Sequence, residues 1–100
     1  MELRGRVRHL HVIVRGRVQG VGFRWFVREE ARRRDLAGWV QNRPDGGVEV
    51  AAAGPDAALE AFEAQLRIGP SGAHITQVEP INASINESNM ALPKPFAILR

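Results

Sequence analysis

From Val7 to Val14 hydrophobic and polar positions alternate, with Leu10, Val12 and Val14 on one side and His9, His11 and Ile13 on the other. A period of two belongs to a half-buried strand, because successive side chains point to opposite faces. After a glycine-rich stretch the period changes, and Phe23, Phe26, Val27 and Ala31 recur at helical spacing through Arg34. Leu36 to Asn42 predicts a second strand. Pro44-Asp45-Gly46-Gly47 is turn chemistry, and Val48, Val50 and Ala52 alternate as the third strand of a hairpin. Gly54-Pro55-Asp56 opens a second helix, with Pro in its first turn and Asp near its positive end; Leu59, Phe62 and Leu66 form its buried stripe. Gly69-Pro70-Ser71-Gly72 stops that helix, His74 follows as a loop residue, and Ile75 to Ile81 predicts a fourth strand. Residues 82 to 95 read as polar and irregular, and Phe96 to Leu99 as a short closing strand.

The order strand, helix, strand, strand, helix, strand predicts two helices on one face of a mostly antiparallel sheet. That is an α+β fold, the ferredoxin-like α/β sandwich, with a short fifth strand at its end. One domain over residues 1–100 is expected, since 100 residues with 44% hydrophobic content fill one core and not two. The topology has a functional consequence. Strands 1 and 2 run parallel with strand 3 between them, so their C-terminal ends share one edge of the domain. The glycine-rich loop sits at one of these ends and Asn42 at the other.

The chain has no cysteine, which excludes disulfides, thiolate nucleophiles and zinc–thiolate sites. No apolar run approaches the roughly 18 residues that a bilayer span needs. The opening MELRGRVRHLHV lacks the apolar segment of an export signal, so a cytoplasmic location and no membrane partner are expected. Charge is uneven: residues 1–34 hold ten Arg against three Glu, whereas the rest holds four cations against eight anions, within a net +3. A basic first third suits an anionic partner, and it equally suits a solvated arginine-rich surface.

The stretch GRVQGVGFR, residues 16–24, sharpens that choice. Gly16, Gly20 and Gly22 allow backbone conformations that side chains forbid, and a loop opening a helix aims unpaired N–H groups beside the positive end of the dipole. Arg24 can add a forked contact to phosphate. The functional reading is an anion cradle; the structural one is a glycine-rich crossover with Arg24 paired to a surface carboxylate. Other phosphate loops do not fit. A nucleotide P-loop would end in Gly-Lys-Ser/Thr, where Phe23-Arg24 follow Gly22 here, and the dinucleotide fingerprint wants glycine where Trp25 stands. A cysteine-dependent phosphatase would carry its nucleophile at Val18.

With no Cys, Ser, Thr, His, Asp or Glu inside it, the cradle offers no covalent nucleophile. Chemistry on a bound phosphoryl group then requires water. Asn42 is the short polar side chain that the topology brings to the same edge, and an amide can accept from water while donating to a phosphoryl oxygen. It is no strong base. The leaving group must therefore depart without an acid, which fits the carboxylate of an acyl phosphate and not the alkoxide of a monoester.

At these residues the chain resembles an acylphosphatase. Val14-Arg15-Gly16-Arg17-Val18-Gln19-Gly20-Val21-Gly22-Phe23-Arg24 is similar to the family's first signature; Gly38-Trp39-Val40-Gln41-Asn42, Gly46, Val48 and Gly54 are similar to its second. The similarity spans about residues 7 to 81, with Phe96-Ala97-Ile98 also family-like. Residues 82 to 95 depart from it in composition, with three Asn and two Pro. The resemblance implies the ferredoxin-like fold and a hydrolase that cleaves the carboxyl–phosphate bond to a carboxylate and inorganic phosphate. It implies Arg24 as the phosphate-binding arginine, Asn42 as the holder of the attacking water, and the backbone of Arg17, Val18, Gln19, Gly20, Val21 and Gly22 as the cradle. No metal, no organic cofactor and no phosphoenzyme are implied. The partners expected are a small acyl phosphate and inorganic phosphate as product and competitor, with a monomer as the working state.

The remaining features are read structurally. His9 and His11 share a strand face as half-exposed histidines without a third metal ligand. Arg32-Arg33-Arg34 ends helix 1, where cations meet the negative dipole end. Trp25 and Trp39 read as packing residues. RNA binding is the alternative in another class, and it is disfavoured because the open sheet face offers His9, His11, Ile13, Glu49 and Ala51 rather than stacking aromatics. A regulatory or carbamoyl-phosphate-handling module of a larger enzyme is the third reading, which a length of 100 residues disfavours.

Overall fold

The computed structural model describes residues 7–81 and 92–99. Its elements are β1 (Arg8–Arg17), α1 (Phe23–Arg33), β2 (Ala37–Asn42), β3 (Val48–Gly54), α2 (Asp56–Ile68), β4 (His74–Pro80) and β5 (Ala97–Ile98). They form one five-stranded sheet in the order β4-β1-β3-β2-β5. β3 lies antiparallel to both β1 and β2, so these two run parallel to one another. β5 pairs in parallel with β2, Trp39 opposite Ala97 and Val40 opposite Ile98. The result is the expected ferredoxin-like α+β architecture.

The alternation in the sequence sets which face is covered. Val12, Val14, Val48, Val50 and Val78 point from the sheet into the same buried cluster as Phe23 and Val27 of α1 and Phe62 and Leu66 of α2. Both helices therefore pack on one face. Phe96, next to β5, is also fully buried and meets Phe62 edge-on, with ring centroids 6.0 Å apart. Removing a ring of this kind from a packed core typically costs about 3–5 kcal/mol.

The other face carries a chain of polar contacts. His11 Nε2 lies 2.6 Å from Glu49 Oε2, and its ring meets Trp39 edge-on. Arg43 reaches Asp45 and Glu49, and Arg15 reaches Asp45 and Glu79. His11 is thus not the half-exposed residue expected: its side chain is only 12% exposed, because Glu49 and Trp39 cover it. Burial raises the Glu49 carboxyl, but hydrogen bonds from His11 and Gln41 and the charges of His11 and Arg43 outweigh it and hold the group below its ordinary value.

Two differences from the sequence reading have local causes. His74 is the first residue of β4 rather than a loop residue, because the β1–β4 ladder slips between Arg15 and Gly16 and lets His74 pair with Arg17. Gly16 makes the slip feasible. Its φ is +126°, and a Cβ there would lie 2.0 Å from the His74 carbonyl oxygen. The first glycine of the loop motif is therefore required by strand contact. Of the stretch expected to be irregular, residues 82–91 lie outside the described residues, while the Pro93 carbonyl accepts a 2.8 Å bond from the Gly38 N–H.

Candidate active site

Residues 19–22 turn the chain from β1 into α1. Gly20 and Gly22 have φ of +80° and +76°, and a Cβ on either would meet nothing within 4 Å. Here backbone conformation, not crowding, demands glycine. Gly22 is the N-cap of α1, and its carbonyl accepts from the Phe26 N–H at 3.0 Å. The helix start has no side-chain cap and no acidic residue in its first turn. First-turn N–H groups and the positive end of the dipole thus face the space beside the loop.

That space is a cleft of about 180 Å³. The loop contributes Val18, Gly20 and Gly22 to its lining, and α1 contributes Phe23, Arg24 and Trp25. Asn42 enters from the end of β2 and Ile98 from β5. The shared edge deduced from strand order is real: Arg24 and Asn42, 18 positions apart in sequence, line one depression.

The side chains of the loop's remaining residues serve other ends. Val18 also packs in the core, and Val21 is half-buried against the core cluster. Arg17 ends β1 opposite His74. Gln19 turns its side chain away from the cleft: Nε2 donates to the carbonyls of Arg43, at 2.8 Å, and Gly47, at 2.9 Å. One amide therefore straps the loop to the β2–β3 hairpin immediately after Asn42.

Charge pairing separates the two readings of Arg24. Arg8 pairs with Asp56, Arg28 with Glu29, Arg33 and Arg34 with Glu30, Arg67 with Glu63, and Lys94 with Asp35. Arg32 donates to the Phe96 carbonyl at 2.9 Å, so the Arg32-Arg33-Arg34 run is engaged at the helix end. Arg43, adjacent to Asn42, is drawn into the acidic hairpin, where Gly47 N–H and the Arg43 and Arg15 guanidiniums hold the Asp45 carboxyl below its usual range. Among the described residues no carboxylate or carbonyl partners Arg17 or Arg24. Both flank the glycine loop.

Comparison with known proteins decides what this arrangement belongs to. The acylphosphatase family profile matches residues 10–98. An acylphosphatase of Chlorobaculum tepidum is 44% identical over 81% of this chain and 88% of its own length. The crystal structure of the acylphosphatase from Bacillus subtilis superposes with a TM-score of 0.79 at 40% identity, covering 95% of this chain and all of that one. The chain belongs to the acylphosphatase family. It is an enzyme, and its reaction class is the hydrolysis of acyl phosphates. The same fold also occurs within a longer protein: HypF of T. kodakarensis matches 91% of this chain with 12% of its own, at a TM-score of 0.70 and 31% identity. None of the described helices is long and apolar enough to cross a membrane.

Sequence reasoning missed three features of this acylphosphatase cleft. Trp25, expected to pack, is 59% exposed and lines the cleft. The signal was present, since Trp25 lies off the Phe23–Val27–Ala31 stripe. Ile98 reaches the cleft only through the parallel pairing of β5. The Gln19 strap joins residues 24 and 28 positions apart, which no local pattern encodes.

Proposed function

We propose that the loop and Arg24 bind the phosphoryl group of an acyl phosphate while Asn42 orients the water that attacks it. What carries this reading is the meeting of Arg24, without a partner among the described residues, left-handed glycines at a bare helix start, and the Asn42 carboxamide in one cleft. Water oxygen attacks phosphorus in line. The bond from phosphorus to the acyl oxygen breaks, its electron pair leaves on the carboxylate, and the water protons pass to phosphate oxygens and solvent. Products are a carboxylate and inorganic phosphate. Backbone N–H groups from the stretch Arg17 to Gly22, with Arg24, stabilise the charge that spreads over the phosphoryl oxygens, and they do so without reorganising.

The lining also argues for the finer points. Among the described residues it holds no carboxylate, imidazole, hydroxyl or thiol, hence no side chain there to form a phosphoenzyme and no set of metal ligands. Asn42 is its one neutral polar side chain among the described residues. Hydrolysis of benzoyl phosphate in ¹⁸O-enriched water tests the proposal. Label should enter phosphate and not benzoate, EDTA should leave the rate intact, and added inorganic phosphate should compete. Label in benzoate, or loss with EDTA and rescue by a divalent ion, would refute it.

A further inference from the structure

The cleft has a mixed lining. Its polar part is loop backbone, Arg24 and Asn42; Trp25 and Ile98 are apolar. The outward positions of α1 that follow are Arg28, Glu29, Arg32 and Arg33, so Trp25 is the one large apolar side chain on that surface of the helix. It sits at the first turn, beside Arg24. Trp39 shows what a packed indole in this chain does instead, lying against the His11 ring. Ile98 is carried into the same cleft because β5 pairs it with Val40, two residues before Asn42. A single exposed indole is ordinary on a protein surface; its place in the lining of the cleft, beside Arg24, is what bears on substrate.

Size gives the apolar part an occupant. At about 180 Å³ the cleft is smaller than the roughly 300–1,000 Å³ of pockets that enclose a whole organic ligand. The phosphoryl group takes the polar part, and the acyl group leaves across the apolar one. We infer that Trp25 and Ile98 form an acyl subsite, and that Trp25 favours substrates with a flat apolar acyl group, aromatic ones above all. The inference rests on the phosphoryl-binding reading of the same cleft. A benzoyl ring can stack on the indole and slide its edge against Ile98. An acetyl group has no ring face to offer, and a carboxylate-bearing acyl group gains nothing from an apolar lining. One aromatic pair supplies about a tenfold preference.

The test compares kcat/KM for benzoyl phosphate and acetyl phosphate in the wild-type chain, Trp25→Ala, Trp25→Phe and Ile98→Ala, with the inhibition constant of inorganic phosphate measured for each. Trp25→Ala should lower the benzoyl-to-acetyl ratio about tenfold, chiefly through KM for benzoyl phosphate, and Trp25→Phe should restore most of it. Ile98→Ala should lower the ratio by a smaller factor of about two to three. Phosphate inhibition should stay within about twofold throughout, because phosphate contacts the polar part of the lining. A ratio in Trp25→Ala within about twofold of wild type would overturn the subsite. So would an equal fall on both substrates with matching loss of phosphate affinity, which would make Trp25 a prop for the helix start. If the wild-type chain hydrolysed neither substrate, the phosphoryl-binding reading would fall with it; activity on acetyl phosphate with an unmoved ratio would sink the subsite alone.

Discussion

Helices α1 and α2 both present the positive end of a helix dipole at an edge of the sheet, and neither start has a side-chain cap. They lie at opposite ends of the domain, because α1 follows β1, α2 follows β3, and these strands are antiparallel. At α2 the anion is built in. Asp56 occupies the first turn, and Arg8 Nη1 lies 3.1 Å from its carboxylate. At α1 the first turn has no acid, the N-cap is a left-handed glycine, and Arg24 has no partner among the described residues. One helix start is neutralised by its own chain and is structural. At the other the described residues supply no such anion, which on the proposed reading leaves that demand to an anionic substrate.

Giving α1 the arrangement of α2 should have the largest effect. Gly22→Asp introduces a carboxylate where the phosphoryl oxygens would lie, in a position with room for a Cβ. Gly22→Asn carries the same backbone strain without the charge. Turnover of benzoyl phosphate should fall about 100-fold further in Gly22→Asp than in Gly22→Asn; equal losses would mean that the helix start is not an anion site. The mirror change, Asp56→Asn, should lower stability by no more than about 1 kcal/mol and leave turnover unaltered, as read by thermal unfolding and the same assay.

Cutting the strap comes next. Gln19→Ala removes both bonds that tie the loop to the hairpin, so Arg24 and Asn42 should lose their fixed relation. A fall in kcat of about tenfold is expected, with phosphate inhibition little changed. A loss confined to unfolding temperature would reduce the strap to a stabilising contact.

The smallest effect concerns the open face of the sheet. Glu49 has a lowered value in the folded chain, so its charged form stabilises the fold at neutral pH, and that contribution disappears as pH falls through and below the ordinary carboxylate range. Unfolding temperature should therefore drop between about pH 5 and 3, and Glu49→Gln should flatten that slope. An unchanged slope would assign the acid sensitivity to other carboxylates.

The fold was legible because alternation, helical spacing and turn chemistry agree along nearly the whole chain. The motif's glycines were legible as a group, yet only the folded chain separates their duties: Gly16 serves the approach of β4, whereas Gly20 and Gly22 shape the loop. Arg24 and Asn42 could be brought together from strand order alone. Trp25 was misread because composition favours a buried indole, while the rotation of α1 decides which side of the helix is outside. His11 was misread for the opposite reason. Its cover comes from Glu49 and Trp39, partners on other strands that no local pattern names.

The most direct test measures inorganic phosphate as a competitive inhibitor of Arg24→Ala and Asn42→Ala. If guanidinium and loop hold the phosphoryl group while the carboxamide holds water, Arg24→Ala should weaken phosphate by at least about 100-fold and nearly abolish turnover. Asn42→Ala should lose turnover by a similar factor yet bind phosphate within about threefold of wild type. Full turnover in Asn42→Ala, or undiminished phosphate binding in Arg24→Ala, would contradict the account.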